Sequence, residues 1–190
     1  MVFKKKYFFY IDDLRNINLN LIKKKYKFNI IYRTTKKTKN YAQISKFVKE
    51  CKRKDINFIV ANDIRLALKV NAGGIYFSSY NNSFLSMKID KEKNFKIYGS
   101  AHNFKEINQK IKQGCKNIIF SRLFKTEYEH KKDYYGLIKF NLITQKFHNY
   151  LIPLGGIRLK NLKKIKIVNC QGIALFSEIK KKPAIIRRLF

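Results

Sequence analysis

A chain of 190 residues has room for one hydrophobic core, and a hydrophobic content of 45% with 15% aromatics excludes a disordered polypeptide. No apolar run approaches the ~20 residues that span a bilayer, and the basic opening meets Asp12 and Asp13 too soon for a secretory signal. One domain over residues 1–190, located in the cytoplasm, is the expectation. The net charge of +31 attracts polyanions. The lysines are nevertheless spread along the whole chain, together with Asn, Ile, Phe and Tyr, which A/T-rich codons also specify. A nucleic-acid-binding protein concentrates such charge on one face or in a tail, so RNA binding stays a minor alternative. Cys51, Cys115 and Cys170 lie far apart without a CxxC or Cys/His cluster, and read as three reduced, buried thiols.

In chain order, the first strand is expected at 7–11, followed by a helix from Asp13 to about Lys25. A second strand at 28–32 precedes a helix on which Ile44, Phe47, Val48 and Cys51 form one apolar stripe. A third strand at 57–61 leads through Asn62-Asp63 into a helix begun by Ile64, Ala67 and Leu68. A fourth strand at 74–77 is followed by a helix at about 85–92, and a fifth strand at 95–99 by the stripe Phe104, Ile107, Ile111. Asn103 and Glu106 open that helix as a capping box. The sixth strand, 117–121, runs into a polar segment reaching Tyr135, which reads as a loop over the C-terminal ends of the strands. The seventh strand is at 150–154. Leu159, Leu162, Ile165 and Val168 mark the next helix, and the eighth strand is at 172–176. These strands lack strict alternation, as strands buried on both faces do. Eight strand–helix repeats make an α/β fold, a single (β/α)8 TIM barrel, with a doubly wound sheet as the competing arrangement.

Gly155-Gly156-Ile157 directly follows the seventh strand, and Ser177 directly follows the eighth. Glycines leave backbone N–H groups open to an anion, and barrels of this kind bind phosphate at these two turns. Gly155, Gly156 and Ser177 are therefore the candidate phosphate site.

The chain also resembles a known family. Gly155-Gly156-Ile157, Asn161 and the run from Gly172 to Ile179 are similar to the closing motif of the thiamine phosphate synthase and thiazole tautomerase (TenI-type) family. Gly99-Ser100-Ala101-His102 resembles its Gly-x-Ser-x-His. Phe124, Thr126 and Gly136-Leu137 match its loop after the sixth strand. Asn62-Asp63 through Leu66-Ala67-Leu68 and Ala72-Gly73-Gly74-Ile75 follow its central pattern, and Arg33 falls on the Arg of its Gln-x-Arg-x-Lys. The matches run in order over about residues 28–180.

The resemblance implies a cytoplasmic enzyme of thiamine biosynthesis, binding phosphorylated small molecules and not a membrane. A thiazole phosphate would sit on the Gly155, Gly156 and Ser177 turns. A pyrimidine methyl diphosphate would bind opposite it, on Arg33, Lys36, Thr126, Lys131 and Lys132. Mg2+ would be held by Asp63, Asn62 and Asn81, while His102, Ser100 and Arg33 would be the catalytic set. The departures from the pattern cluster on the diphosphate side: Ile31 for Gln, Thr35 for Lys, Asn62 and Asn81 at the magnesium Asp positions, Tyr76 for His, Ser79 for Gln, and Glu129 for Lys. An Asn carbonyl without a formal charge holds Mg2+ far more weakly than a carboxylate. Thiazole tautomerases of the same family lack those carboxylates and use a His at the position of His102, whose imidazole titrates near neutrality. A transferase with an altered metal site, a tautomerase, and a catalytically reduced relative that only senses the thiazole phosphate are the readings to separate. The oligomeric state is left open, a homo-oligomer included.

Overall fold

The computed structural model describes residues 5–22, 27–35, 40–84, 95–127, 133–147 and 150–175. Eight parallel strands form one sheet: β1 (Lys6–Ile11), β2 (Phe28–Tyr32), β3 (Asn57–Ala61), β4 (Gly74–Phe77), β5 (Lys96–Ala101), β6 (Asn117–Ser121), β7 (Leu151–Leu154) and β8 (Gly172–Leu175). Their order is β7-β6-β5-β4-β3-β2-β1-β8. Each strand pairs with its sequence neighbour, β1 also pairs with β8, and β8 comes back alongside β7, so the sheet is a nearly closed barrel. The helices are α1 (Tyr41–Arg53), α2 (Ile64–Lys69), α3 (Phe104–Lys112) and α4 (Gly136–Lys146). No helix among the described residues is long and apolar enough to cross a membrane.

Side chains alternate along β1, and both sets are buried. Tyr7, Phe9 and Ile11 face outward into the layer shared with the helices, where α1 adds Ile44, Val48 and Cys51. Phe8 and Tyr10 face inward and meet Ile31, Ile59, Tyr76, Tyr98, Ile119, Ile152 and Ala174 in the barrel interior. Aromatic rings fill that lumen edge to face: Phe8 against Tyr98 and Tyr10 against Tyr76, each with centroids 5.6 Å apart. At the strand N-termini, Asn57 donates to Asn29 Oδ1 at 2.9 Å and to the Tyr98 hydroxyl at 3.1 Å, so this floor is polar but satisfied.

The expected stripe on α1 faces the core, and so do Ile107 and Ile111 on α3, whose Phe104 is half-exposed against Phe147; on α2 the buried residues are Leu66 and Ala67, and Leu68, expected on the stripe, is exposed. Each helix is opened by an Asn or Asp side chain: Asn40, Asp63 and Asn103. The helix expected from Asp13 is not one helix. Asp13 and Asn18 each cap a single 3-10 turn, Leu14–Asn16 and Leu19–Leu21, and Ile17 between them is extended. Leu14, Ile17, Leu19 and Ile22 are buried at spacings of three, two and three, which no continuous helix presents on one face. Residues 159–167 form a 3-10 helix instead of an α-helix. The apolar residues turned toward the core there, Leu162, Ile165 and Val168, recur every third residue, which is the 3-10 period, while Ile167 is exposed. The helix α4 escaped the periodicity reading because Ile138 and Leu142 point to solvent while Phe140 and Ile143 are buried, leaving apolar residues on every side. The expected helix at 85–92 lies outside the described residues.

Cys51, Cys115 and Cys170 are free and buried; burial pushes the first two thiols up to about 12 and raises the third. A thiolate-selective reagent at pH 8 should therefore modify less than about 0.2 equivalents within minutes in the native protein, and all three cysteines after guanidinium denaturation. Thiol titration reads both values.

Candidate active site

The C-terminal ends of the strands carry a polar mouth above the aromatic lumen. At its centre the Tyr10 hydroxyl donates to the Tyr76 hydroxyl at 3.0 Å, and Ser100, buried near the end of β5, hydrogen-bonds the same Tyr76 oxygen. Burial raises both phenols, Tyr10 well above its ordinary value, so they act as neutral hydroxyls. Tyr76 thus links two sides of the mouth: one built on β2, β3 and β4, the other on β5, β6 and β7.

On the first side Arg33 leaves the end of β2, its backbone N–H donating to Ile11 O at 2.8 Å. Its side chain is exposed; the guanidinium hydrogen-bonds Tyr80 and its charge is felt at Tyr10 and Tyr76. Tyr80, largely exposed, is held below the ordinary phenol range by its bond with Ser78, helped by Arg33 and Asn62. Asn62 follows β3 in the left-handed region, φ +58°, and its N–H donates to Tyr76 O at 2.8 Å. Its Oδ1 accepts the Ser78 N–H at 2.9 Å and the Asn81 Nδ2 at 3.2 Å. Its Nδ2 lies 2.7 Å from Ser78 Oγ and donates to the Tyr80 hydroxyl at 3.2 Å. Asn81 Oδ1 accepts the Ser83 N–H at 2.9 Å, and Asp63 Oδ1 accepts the Leu66 N–H at 2.8 Å as the cap of α2. Backbone donors fix the orientation of both amides. The amide oxygens of Asn62 and Asn81, and Oδ1 of Asp63, are thus already engaged by the protein's own N–H groups, and among the described residues no three His, Cys, Asp or Glu side chains are grouped to hold a metal. Two engaged amides and a single carboxylate do not fit a magnesium ion, which asks for near-octahedral oxygen ligands that include charge.

Beneath Asn81 lies a buried cation. The Lys110 ammonium donates to Asn81 O at 2.6 Å and to Gln113 Oε1 at 2.9 Å; Gln113 Nε2 donates to Asn81 O at 3.0 Å and Ser83 O at 2.8 Å. Both side chains are fully buried, and desolvation lowers the Lys110 pKa against the opposing pull of Cys115 and Glu106. Gly99 makes room for the lysine stem: a Cβ there would meet Lys110 Cγ and Cδ at 3.0 Å.

On the other side His102 follows β5, exposed, with Nδ1 2.7 Å from Ser121 Oγ. Its N–H donates to Glu106 Oε2 at 2.8 Å and its carbonyl accepts the Tyr135 hydroxyl at 2.8 Å. The hydroxyl can either donate to Nδ1 or accept from it, so this bond fixes the ring's orientation and not its tautomer. The segment after β6 runs beside the end of β7, Leu123 N–H donating to Leu154 O at 2.9 Å and Phe124 N–H to Gly155 O at 3.0 Å. Gly155 and Gly156 have φ +98° and +66°, and a Cβ on Gly156 would sit 2.5 Å from Lys125 O. The Gly156 carbonyl accepts Asn161 Nδ2 at 2.8 Å. The turn and loop bonds among the described residues engage these two carbonyls and not the two N–H groups. Thr126 Oγ1 is buried without a hydrogen-bond partner among the described residues, beside the Arg158–Glu127 ion pair at 2.7 Å. Lys125 is exposed in the same segment. Lys36, Lys131, Lys132 and Ser177 lie outside the described residues. Ser121, Ser78, Tyr80, Tyr10 and Lys110 were not singled out from sequence; only the inward register of each strand end, or a hydrogen bond across the barrel, marks them.

A family model described as thiamine monophosphate synthase matches residues 12–179. A thiamine-phosphate synthase of Flavobacterium johnsoniae is 27% identical over 153 residues, 73% of this chain and 70% of that protein. One from Prochlorococcus marinus strain AS9601 is 26% identical over 136 residues, 68% of this chain but 37% of the relative. The chain spans 37–40% of the length of the Prochlorococcus relatives it matches. Among solved structures, a thiamine phosphate pyrophosphorylase from Pyrococcus furiosus superposes with a TM-score of 0.71 at 20% identity, covering 98% of this chain and 95% of that one. A 3-keto-L-gulonate-6-phosphate decarboxylase from Vibrio cholerae does so with a TM-score of 0.64 at 15% identity, over 97% and 96%. At these identities the structures share the barrel fold.

Gly156→Ala should lower stability by about 1–3 kcal/mol, because its left-handed φ and the Lys125 carbonyl both oppose a Cβ. Lys110→Met should cost a similar ~1–3 kcal/mol by leaving Gln113 Oε1 and one bond of the Asn81 carbonyl unmade in the interior. Urea unfolding followed by circular dichroism measures both.

Proposed function

Since the chain belongs to the thiamine monophosphate synthase family, we propose that it is a thiamine phosphate synthase-like transferase, joining a thiazole phosphate to a pyrimidine methyl diphosphate. The observation that carries this reading is the two-sided mouth. The Gly155-Gly156 turn, with its carbonyls pinned and positive φ at both residues, offers one anion a place on β7. Arg33 and Tyr80 offer a second anion a place across the barrel, and Tyr76 with Ser100 spans the space between them.

In this reading the glycine N–H groups, together with Ser177, hold the thiazole phosphate and aim the ring nitrogen inward. The carbon–oxygen bond between the pyrimidine methylene and its diphosphate breaks, with the electron pair leaving on the diphosphate. The thiazole nitrogen then donates its lone pair to the methylene carbon. Arg33 faces the oxygens on which negative charge accumulates, with Lys36, Lys131 and Lys132 as further candidate partners of the same anion; Thr126, in the segment beside the Gly155-Gly156 turn, belongs to the thiazole phosphate side. The neutral hydroxyls of Tyr76 and Ser100 orient the pyrimidine without adding charge. Little covalent chemistry is asked of the protein; positioning and charge stabilisation carry the reaction.

The second reading, a thiazole tautomerase, is favoured by one feature: His102 is backed by Ser121 at 2.7 Å, the arrangement of a ring held in one orientation for proton transfer. The two are separated by one pair of assays. Incubation with both precursors should yield thiamine phosphate and one equivalent of diphosphate, with Arg33→Ala lowering kcat/KM by roughly 10²-fold and His102→Ala by less than about tenfold. Ring isomerisation abolished by His102→Ala, with no joined product from the wild-type protein, would replace the transferase with the tautomerase.

A further inference from the structure

The corner between β3 and β4 is knotted shut by amide bonds where an ion would need open oxygens. Asn62 Oδ1 carries two N–H donors, from Ser78 and Asn81, which uses both of its lone pairs. Asn81 Oδ1 is taken by Ser83 N–H, and its backbone carbonyl by Lys110 and Gln113. To reach either side-chain oxygen a cation would have to break these bonds. It would then also stand above the buried Lys110 ammonium, two hydrogen bonds away, which repels it. The same bonds serve an anion well. They hold Tyr80 with its hydroxyl bonded to Asn62 and Arg33, so a guanidinium and a hydroxyl stand side by side on a rigid support at the mouth.

We propose that this corner is a metal-independent oxyanion site, in which Arg33 and Tyr80 receive the phosphoryl oxygens of the substrate directly and Lys110, acting through Asn81 and Asn62, positions them. The identity of the anion as a diphosphate rests on the transferase reading above. The absence of a divalent cation from the site does not rest on it: the Asn62 and Asn81 oxygens are taken, and Asp63, capping α2 through Oδ1, would be left as the single carboxylate ligand. Arg33 offers several N–H donors in a planar fork, a geometry that meets two phosphoryl oxygens at once, and Tyr80 adds a further O–H.

Titration calorimetry with inorganic diphosphate tests this, once in EDTA and once with excess Mg2+ in at least 0.15 M salt to screen the diffuse charge. The expected result is binding in EDTA at least as tight as with Mg2+, because excess Mg2+ complexes the diphosphate and the corner disfavours the bound cation, and no heat from Mg2+ alone. Arg33→Ala should weaken binding at least tenfold in both conditions and Tyr80→Phe several-fold. Lys116→Ala, a change of an exposed lysine just before β6 at the opposite end of the barrel, should leave it unaltered. Binding that appears only with Mg2+ would overturn the inference while leaving the transferase reading standing. Equal losses from Arg33→Ala and Lys116→Ala would also overturn it, since binding would then follow net charge. So would no binding in either condition. The transferase reading fails by a different measurement, the lack of joined product from the two precursors.

Discussion

A ring of eight parallel strands encloses a space that only side chains can fill, and every other feature of this molecule is arranged around that demand. Because helices cover the outside, the strands are buried on both faces, and neither face tolerates an unpaired charge. Here the inward positions are unusually aromatic, Phe8, Tyr10, Tyr76 and Tyr98 among Ile, Leu and Ala. The phenol groups place hydrogen-bonding atoms at both ends of an otherwise apolar plug. Tyr98 meets the asparagines at the strand N-termini, and Tyr10 and Tyr76 meet each other under the mouth.

That plug sets what the mouth can be. Its upper surface is neutral, and polar only through hydroxyls, so the charge needed to receive an anion has to come from the turns that follow the strands. In the function proposed above, the Arg33 charge after β2 and the backbone N–H groups of the glycine turn after β7 meet the substrate's anions from opposite directions. Between them, Asn62 and Asn81 take part in a network that ends in a fully buried lysine. A buried ammonium is costly unless its donors are met, and here the Asn81 carbonyl and Gln113 meet them. The network therefore makes the β3–β4 corner stiff and positively biased.

The excess of lysine along the rest of the chain plays a lesser part. Surface lysines a Debye length or more from the mouth contribute little at physiological salt. What distinguishes Arg33 and Lys110 from the other cations is position: one is bonded at the mouth to Tyr80, the other is sealed beneath it.

Much of the barrel was legible in the sequence. Eight short apolar runs marked the strands to within two residues in the described regions, and the stripes on α1 and α3 were visible because a surface helix must be apolar on one side. Even the 3-10 helix at 159–167 was written in a three-residue repeat, once that spacing is taken at face value. The turns bearing Gly155, Gly156, His102 and Arg33 could be placed because they follow recognisable strand ends. Only the tertiary structure decided which polar side chains meet. Tyr10 and Tyr76 are 66 residues apart, and Lys110 and Asn81 are 29 apart. Local periodicity carries no record of such pairs, since they exist only after strand register and barrel closure bring distant turns together. The occupation of the Asn62 and Asn81 oxygens by N–H donors belongs to the same class: the residue types allow metal coordination, and the folded geometry spends those oxygens on the protein itself.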